Sequence, residues 1–104
     1  MRDLTEAQLA QFRSRAVPEP AAAVRDAVAL ADDRRLDVPA TIVCTAFSAA
    51  DYRSSAEGGA AFLAGVLEHR ALTLVDLPTG HWPMWSKPIE LAAIIDVAAR
   101  AALR

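Results

Sequence analysis

Cysteine is nearly absent from this chain. Cys44 is the only one in 104 residues, so no intramolecular disulfide can form. With two histidines, the sequence has no Cys/His cluster of the kind that binds zinc. The net charge is −2 without a basic patch, which argues against binding to nucleic acid or an anionic membrane. No apolar run approaches the ~20 residues that span a bilayer, and no apolar signal core follows Met1. We expect a soluble, cytoplasmic protein without a metal or cofactor.

Apolar residues, by contrast, are abundant. The hydrophobic fraction is 54%, whereas ordinary globular domains have roughly 45–50% even when glycine is counted. A domain this small has a high surface-to-volume ratio and should need less apolar content. Much of the excess is alanine, yet the chain carries more apolar surface than a core of its size can hide.

The N-terminal part predicts a helix followed by a linker. Thr5–Gln8 has the pattern of a capping box, and the apolar positions after it, including Phe12, recur at helical spacing. We therefore expect an amphipathic helix over 5–16. The two prolines of Val17-Pro18-Glu19-Pro20 end it. Residues 21–37 have no clean apolar stripe and are interpreted as a linker with a short helical turn at most.

The remainder predicts a β-α-β-loop-α order. Two apolar runs, Ala40–Phe47 and Ala71–Asp76, show little alternation, which is typical of strands covered on both faces of a parallel sheet. Between them, Ser54–Glu57 has the pattern of a second capping box and predicts a helix over 55–68. A last helix begins near Ser86 and Pro88. Its apolar stripe consists of Leu91, Ile94, Ile95, Ala98 and Ala102.

Two strands are few for such a sheet. A right-handed crossover would make them parallel, but sheets average about five or six strands. Two apolar strands cannot cover their own outer edges. Either another chain supplies the neighbouring strands, or these residues are a piece of a longer protein.

The stretch Leu77–Pro88 carries the clearest chemical signal. It places His81 on a short loop between a strand and a helix, where an imidazole can act as a general base. A structural or solvated histidine is the alternative. In this context the chain resembles the C-terminal portion of α/β-hydrolases, most closely the esterase-like and hydroxynitrile-lyase-like branch. The resemblance rests on Ile42-Val43-Cys44-Thr45, Gly80-His81, Ser86-Lys87-Pro88 and Glu90-Leu91.

The resemblance implies a fold and a substrate class. Residues 38–104 would be the C-terminal part of an α/β-hydrolase domain, and residues 1–37 a cap-derived helix and linker. The substrate would be a small ester or acyl compound. The family's triad runs in the order serine, acid, histidine, and His81 matches the histidine, which acts as general base and then as general acid.

The other parts of that machinery are missing from these residues. No Gly-x-Ser-x-Gly elbow is present, since Ser48, Ser54 and Ser55 lack the flanking glycines. The oxyanion-hole segment is absent too. Phe47 stands where this branch usually has its acid, which leaves Asp51 as the nearest substitute. A plain turn or helix-start aspartate is the alternative for Asp51.

Three aromatic residues complete the candidate site. Trp82 and Trp85 flank His81 and would wall a substrate pocket, to which Phe12 of the cap-like helix would contribute. Packing of the loop onto the sheet is the alternative use of these side chains. Asp76 is interpreted as a solvated loop carboxylate. Cys44, in the middle of a strand, is expected to be inert.

Three functional hypotheses follow. The first is the C-terminal part of an α/β-hydrolase (truncated or split), inactive alone because it has neither nucleophile nor oxyanion donors. The second is a non-catalytic interaction module that pairs through exposed sheet edges, as a homodimer or with a partner that lacks strands. The third is a small-ligand binder that uses the loop around Trp82 and Trp85.

Overall fold

The computed structural model describes residues 3–103. Residues 1, 2 and 104, which the predicted regions 1–37 and 38–104 include, lie outside the described residues. The helices are α1 (Glu6–Arg15), α2 (Ala21–Arg25), α3 (Ala49–Glu57), α4 (Pro83–Ser86) and α5 (Pro88–Ala102), and the strands are β1 (Ala40–Cys44) and β2 (Leu72–Asp76). Short 3₁₀ turns occupy Asp33–Asp37, Ala61–Leu63 and Val66–Glu68.

The two strands pair in parallel, which confirms the predicted strand direction, and the mixture of helices and strands is compatible with the α/β class. The register runs from Ala40 opposite Leu72 to Cys44 opposite Asp76. β1 is shorter than predicted, because the run to Phe47 was expected to stay extended and the strand ends at Cys44. The chain must leave the sheet there, since Ser48 already caps the next helix.

The predicted helix over 55–68 is wrong. The helix in this region is α3, capped by a box in which Ser48 accepts from the backbone N–H of Asp51 and the Asp51 side chain reaches back. Gly58 follows as the C-cap, and Gly59 has a φ of 79°, a left-handed conformation that ends the helix. Gly65 has the same φ, so residues after α3 form only isolated turns.

The first and last helices agree with the sequence pattern. α1 starts after Thr5, whose side chain accepts from the backbone of Gln8 in the expected capping box. The predicted linker contains α2 and the 3₁₀ turn Asp33–Asp37, which includes one buried residue, Leu36. α5 begins at Pro88, where a missing N–H costs no hydrogen bond. Its predicted stripe is only partly covered, and Ile95 is 58% exposed.

The core of this chain is small. Among residues 3–103, the buried hydrophobic side chains are Leu36, Cys44, Leu63 and Leu77. The radius of gyration is 16.2 Å, against about 13 Å for a compact domain of this length. The surface of 8082 Å² is about 2,400 Å² larger than that of a folded monomer of the same mass. Residues 17–34, all exposed, contribute part of this excess.

An open apolar groove separates α5 from the adjacent sheet face. Its volume is about 340 Å³, and it is lined by Thr41, Thr73, Val75, Ala93, Ile94, Val97, Ala98 and Ala101. Between residues 3 and 103, none of the helices has the length and apolar character needed to cross a membrane.

Candidate functional site

The segments after β1 and β2 leave the sheet at the same edge, because the strands are parallel. The backbone N–H of Leu77 donates to the carbonyl of Cys44 at 2.9 Å, and that of Thr79 donates to Thr45 at 3.4 Å. These bonds extend the strand pairing into residues 77–87, here called the His81 loop. Ligands of open α/β sheets bind at this edge, outside the carboxyl ends of the strands.

His81 presents an accessible imidazole at this edge. The residue is exposed, and its ring stands edge-to-face with Trp82, with centroids 4.9 Å apart and an interplanar angle of 88°. Across residues 3–103, no hydrogen bond or ion pair engages the imidazole of His81. Nothing among these residues therefore competes with a reactant for the two ring nitrogens.

Helix α1 lies against the His81 loop. The rings of Phe12 and Trp82 are 5.0 Å apart at 54°, within the range of favourable aromatic pairs. Gln8 Nε2 donates a 3.1 Å hydrogen bond to the carbonyl of Trp85. The structure thus brings together Phe12, Trp82 and His81 as a continuous row, while Trp85 is joined to α1 through its backbone.

Asp51 is held by the start of α3. Its Oδ2 accepts from Ser48 Oγ at 2.7 Å and from the Ser48 backbone N–H at 3.3 Å. The described residues show no contact between this carboxylate and His81. The geometry is that of the helix-start aspartate, the alternative considered for this residue. Asp51 also lines a cavity of about 260 Å³ beside Phe47, Tyr52 and Phe62.

Asp76 does more than a solvated loop carboxylate would. It is the last residue of β2, and its Oδ1 accepts a 2.6 Å hydrogen bond from the backbone N–H of Ala49. The bond satisfies one of the unpaired N–H groups in the first turn of α3. Asp76 therefore fixes α3 against the end of the neighbouring strand.

Cys44 lies between the two loops but is closed to solvent. Its side chain is 1% exposed, and its Sγ is 3.8 Å from the carbonyl of Ile42. Burial, and then the negative charge of Asp76, raise the pKa of the Cys44 thiol. A thiol that stays protonated is a poor nucleophile, in line with the expectation that this cysteine is inert.

Thr79, Ser86 and Asp3 also belong to the site, and the sequence reasoning missed their contacts. The hydroxyls of Thr79 and Ser86 are 2.6 Å apart. Thr79 Oγ1 lies 3.2 Å from Asp3 Oδ2, and Ser86 Oγ lies 3.2 Å from the carbonyl of Trp82. The hydroxyl residues Thr79 and Ser86 on the two sides of His81 are a signal that could have been used; nothing in the sequence points to Asp3.

Gly80 makes room for that aspartate. A Cβ on Gly80 would stand 2.6 Å from Asp3 Oδ2, closer than a Cβ approaches an oxygen atom of another residue. The absence of a side chain at the residue before His81 therefore allows Asp3 to reach Thr79.

No metal site accompanies these residues: over the range 3–103, no group of three or more His, Cys, Asp or Glu side chains is arranged to hold an ion. Comparison with known proteins gives no relative from which a role could be read. No protein-family model, no curated protein and no solved structure matches the chain.

Proposed function

We propose that this chain is the histidine-bearing part of an α/β-hydrolase-like serine hydrolase that acts on small ester or acyl compounds. The catalytic serine and the oxyanion donors would come from residues outside these 104. One observation carries the proposal: the accessible imidazole of His81 lies where the loops after two parallel strands meet. This is the position that the order serine, acid, histidine requires of the last member.

The roles follow from the side chains at that edge. As a serine hydroxyl attacks the ester carbonyl, His81 takes its proton and passes it to the departing alkoxide. In the second half, His81 takes a proton from water and returns one to the serine as the acyl-enzyme is hydrolysed. Such transfers contribute about 10²–10⁴ in rate. Trp82 and Phe12 would form an apolar wall for the acyl or alcohol group.

The acid of the triad is assigned to Asp51 in this proposal. It lies in the first turn of α3, the helix that follows β1, and β1 pairs with the strand that precedes His81. Orienting the imidazole would require its carboxylate to leave Ser48, to which it is now bonded. In this proposal the exchange accompanies the addition of the missing strands. Those strands would cover Phe47 and Phe62 beside Asp51, which are now 61% and 74% exposed, and would change the surroundings of the carboxylate.

A fluorophosphonate probe tests this proposal, because it reacts with serines activated by a histidine. The tagged chain would be expressed in its native host, purified with what binds it, and treated with the probe. We expect a labelled serine on an associated polypeptide, lost in His81→Ala and retained in His69→Ala, the matched control. Labelling that is indifferent to His81 would refute the proposal. Hydrolysis of p-nitrophenyl esters by the purified chain alone would refute the dependence on an external serine.

The accessible surface, which is larger than that of a folded monomer of the same mass, favours a second candidate, an interaction module without catalysis. In the described part of the chain, β1 and β2 are the whole sheet, so each has an edge without a neighbour. Exposed edges pair readily with other strands, and the excess of about 2,400 Å² is in the range of a permanent interface. Light scattering after size-exclusion chromatography discriminates: a stable dimer without a labelled serine favours this candidate, and a monomer that does not bind apolar dyes excludes it.

A further inference from the structure

We propose that Thr79 and Ser86 are positioning residues for His81, acting through the hydrogen bond between their hydroxyls. They stand on either side of His81, and their oxygens are 2.6 Å apart, the short end of the normal range for two hydroxyl groups. The bond closes the His81 loop into a ring from which the imidazole projects. The inference rests on the proposed function only for the chemistry that the positioned imidazole performs.

The bond is partly shielded from water. Both Thr79 and Ser86 are half-buried, whereas His81 between them is exposed. A hydrogen bond away from solvent retains more of its strength than one at the surface. The loop is thus held at its two ends and open at its centre, which is what a proton-transfer group on a loop needs.

The direction of the bond follows from counting protons. Thr79 and Ser86 supply one hydroxyl proton each, and the acceptors around them are Asp3 Oδ2, the carbonyl of Trp82 and the two hydroxyl oxygens themselves. A carboxylate is the strongest acceptor of the set. The favoured order is therefore Ser86 donating to Thr79, and Thr79 donating to Asp3. In the reverse order Thr79 donates to Ser86, and Ser86 to Trp82.

Both orders immobilise the neighbours of the imidazole. In the first, Asp3 is held over Gly80, the residue before His81. In the second, the carbonyl of Trp82, the residue after His81, is held. Trp82 then fixes the ring of His81 by its edge-to-face contact at 4.9 Å. Loss of the hydroxyl pair should therefore change the environment of the imidazole, even though neither hydroxyl touches it.

The test uses NMR spectroscopy on the full chain. Thr79→Val removes the hydroxyl and keeps the shape of the side chain, whereas Thr79→Ser keeps the hydroxyl and is the matched control. In Thr79→Val we expect shifted ring resonances of His81 and Trp82. We also expect roughly five- to tenfold faster exchange of the Ser86 amide, the ratio that corresponds to one lost hydrogen bond. Thr79→Ser should show neither change: its ring resonances and its Ser86 amide exchange should match those of the wild type.

Ser86→Ala is the second variant, and it decides the matter if Thr79→Val fails to fold. Resonances of β1 and β2 serve as the internal standard for an intact sheet. The inference is overturned if either folded variant leaves the ring resonances of His81 and Trp82 unchanged, or if Thr79→Ser behaves like Thr79→Val. Because this experiment needs no serine-bearing partner, its outcome is separate from that of the fluorophosphonate assay.

Discussion

The backbone N–H of Ala49 donates a 2.6 Å hydrogen bond to Asp76 Oδ1 and so joins the first turn of α3 to the last residue of β2. The two residues are 27 positions apart. The bond serves as a tertiary cap, because a carboxylate from another element satisfies a helical N–H and interacts favourably with the positive end of the helix.

Replacing Asp76 should therefore destabilise the chain. Asp76→Ala is expected to lower the free energy of unfolding by about 1 kcal/mol, since it removes both the acceptor and its charge. Asp76→Asn keeps an acceptor oxygen and should cost about half as much. Urea denaturation followed by circular dichroism measures both. Equal stability of Asp76→Ala and wild type would show that Ala49 finds an equivalent partner in water.

Asp51 offers a prediction that separates its two roles. As a member of the α3 capping box, its replacement by asparagine should cost about 0.5 kcal/mol in the free energy of unfolding, because the amide keeps an acceptor oxygen but loses the negative charge at the helix start. Thr5→Ala in the exposed α1 box is the matched control for an ordinary cap. If Asp51 also orients His81 in an assembled enzyme, Asp51→Asn should abolish fluorophosphonate labelling, whereas Thr5→Ala should leave it unchanged.

Gly80 and Asp3 should show coupled effects on stability. Gly80→Ala places a Cβ 2.6 Å from the present position of Asp3 Oδ2 and displaces that carboxylate from Thr79. We expect a loss of about 0.5 kcal/mol, because the displaced carboxylate is the end of a flexible side chain and its bond to Thr79 is exposed. In an Asp3→Ala background the same change should be neutral or stabilising by about 0.5 kcal/mol, because alanine restricts the unfolded chain more than glycine does.

A double-mutant cycle over these four proteins measures that coupling. Additive effects of the two substitutions would contradict the close approach of Asp3 to Gly80. The control is Gly59→Ala, where a Cβ would meet no atom within 4 Å. Its cost should come from the left-handed backbone alone and should be independent of Asp3.

The raised pKa of Cys44 predicts a loss of stability at alkaline pH. The thiol keeps its proton in the folded chain at pH values where an unfolded thiol, with a pKa of about 8.5, has lost it. In that window the folded state binds more protons than the unfolded state, so stability falls as the pH rises above about 8.5 and is unaffected below it. Burial is the main cause of the shift, followed by the charge of Asp76.

Denaturation curves between pH 7 and pH 9.5 test this dependence against Cys44→Ala, which lacks the titrating group. The difference in the free energy of unfolding between the two proteins should shrink as the pH rises above about 8.5. Iodoacetamide should alkylate Cys44 far more slowly in the folded chain than in urea. Equal rates in the two states would contradict the buried position.

The strands could be predicted from the sequence because their residue types strongly favour an extended conformation in a buried parallel sheet. The continuous apolar runs in Ala40–Cys44 and Leu72–Asp76 are typical of a parallel pair, and the structure has one. Pro88 and the Thr5 capping box likewise marked the starts of α5 and α1, since each signal acts within one helical turn.

The middle helix was misplaced because two segments match the same local pattern. Ser48–Asp51 and Ser54–Glu57 both have a hydroxyl residue three positions before an acid. The glycines at 58 and 59 decide between them, since a helix that began at 55 would have to continue through a residue with a φ of 79°. Weighing those glycines as a helix end would have placed α3 correctly.

The contacts around His81 depend on tertiary structure that no local pattern encodes. Thr79 and Asp3 are 76 residues apart, and Gln8 and Trp85 are 77 apart. Such contacts arise from the docking of α1 on the His81 loop. The sequence therefore indicated the histidine and the aromatic residues, but it did not indicate the hydroxyl pair that holds them.

The unpaired edge of β1 has a consequence for handling this protein. Ala40–Cys44 contains no charge, proline or glycine, and Thr45-Ala46-Phe47 extends the uncharged run. Segments of this kind stack into cross-β fibrils when nothing covers them. A neighbouring strand would thus also protect the chain from amyloid formation. A lysine in place of the exposed Thr41 should reduce aggregation in concentrated solutions, because its charge opposes the stacking of identical strands.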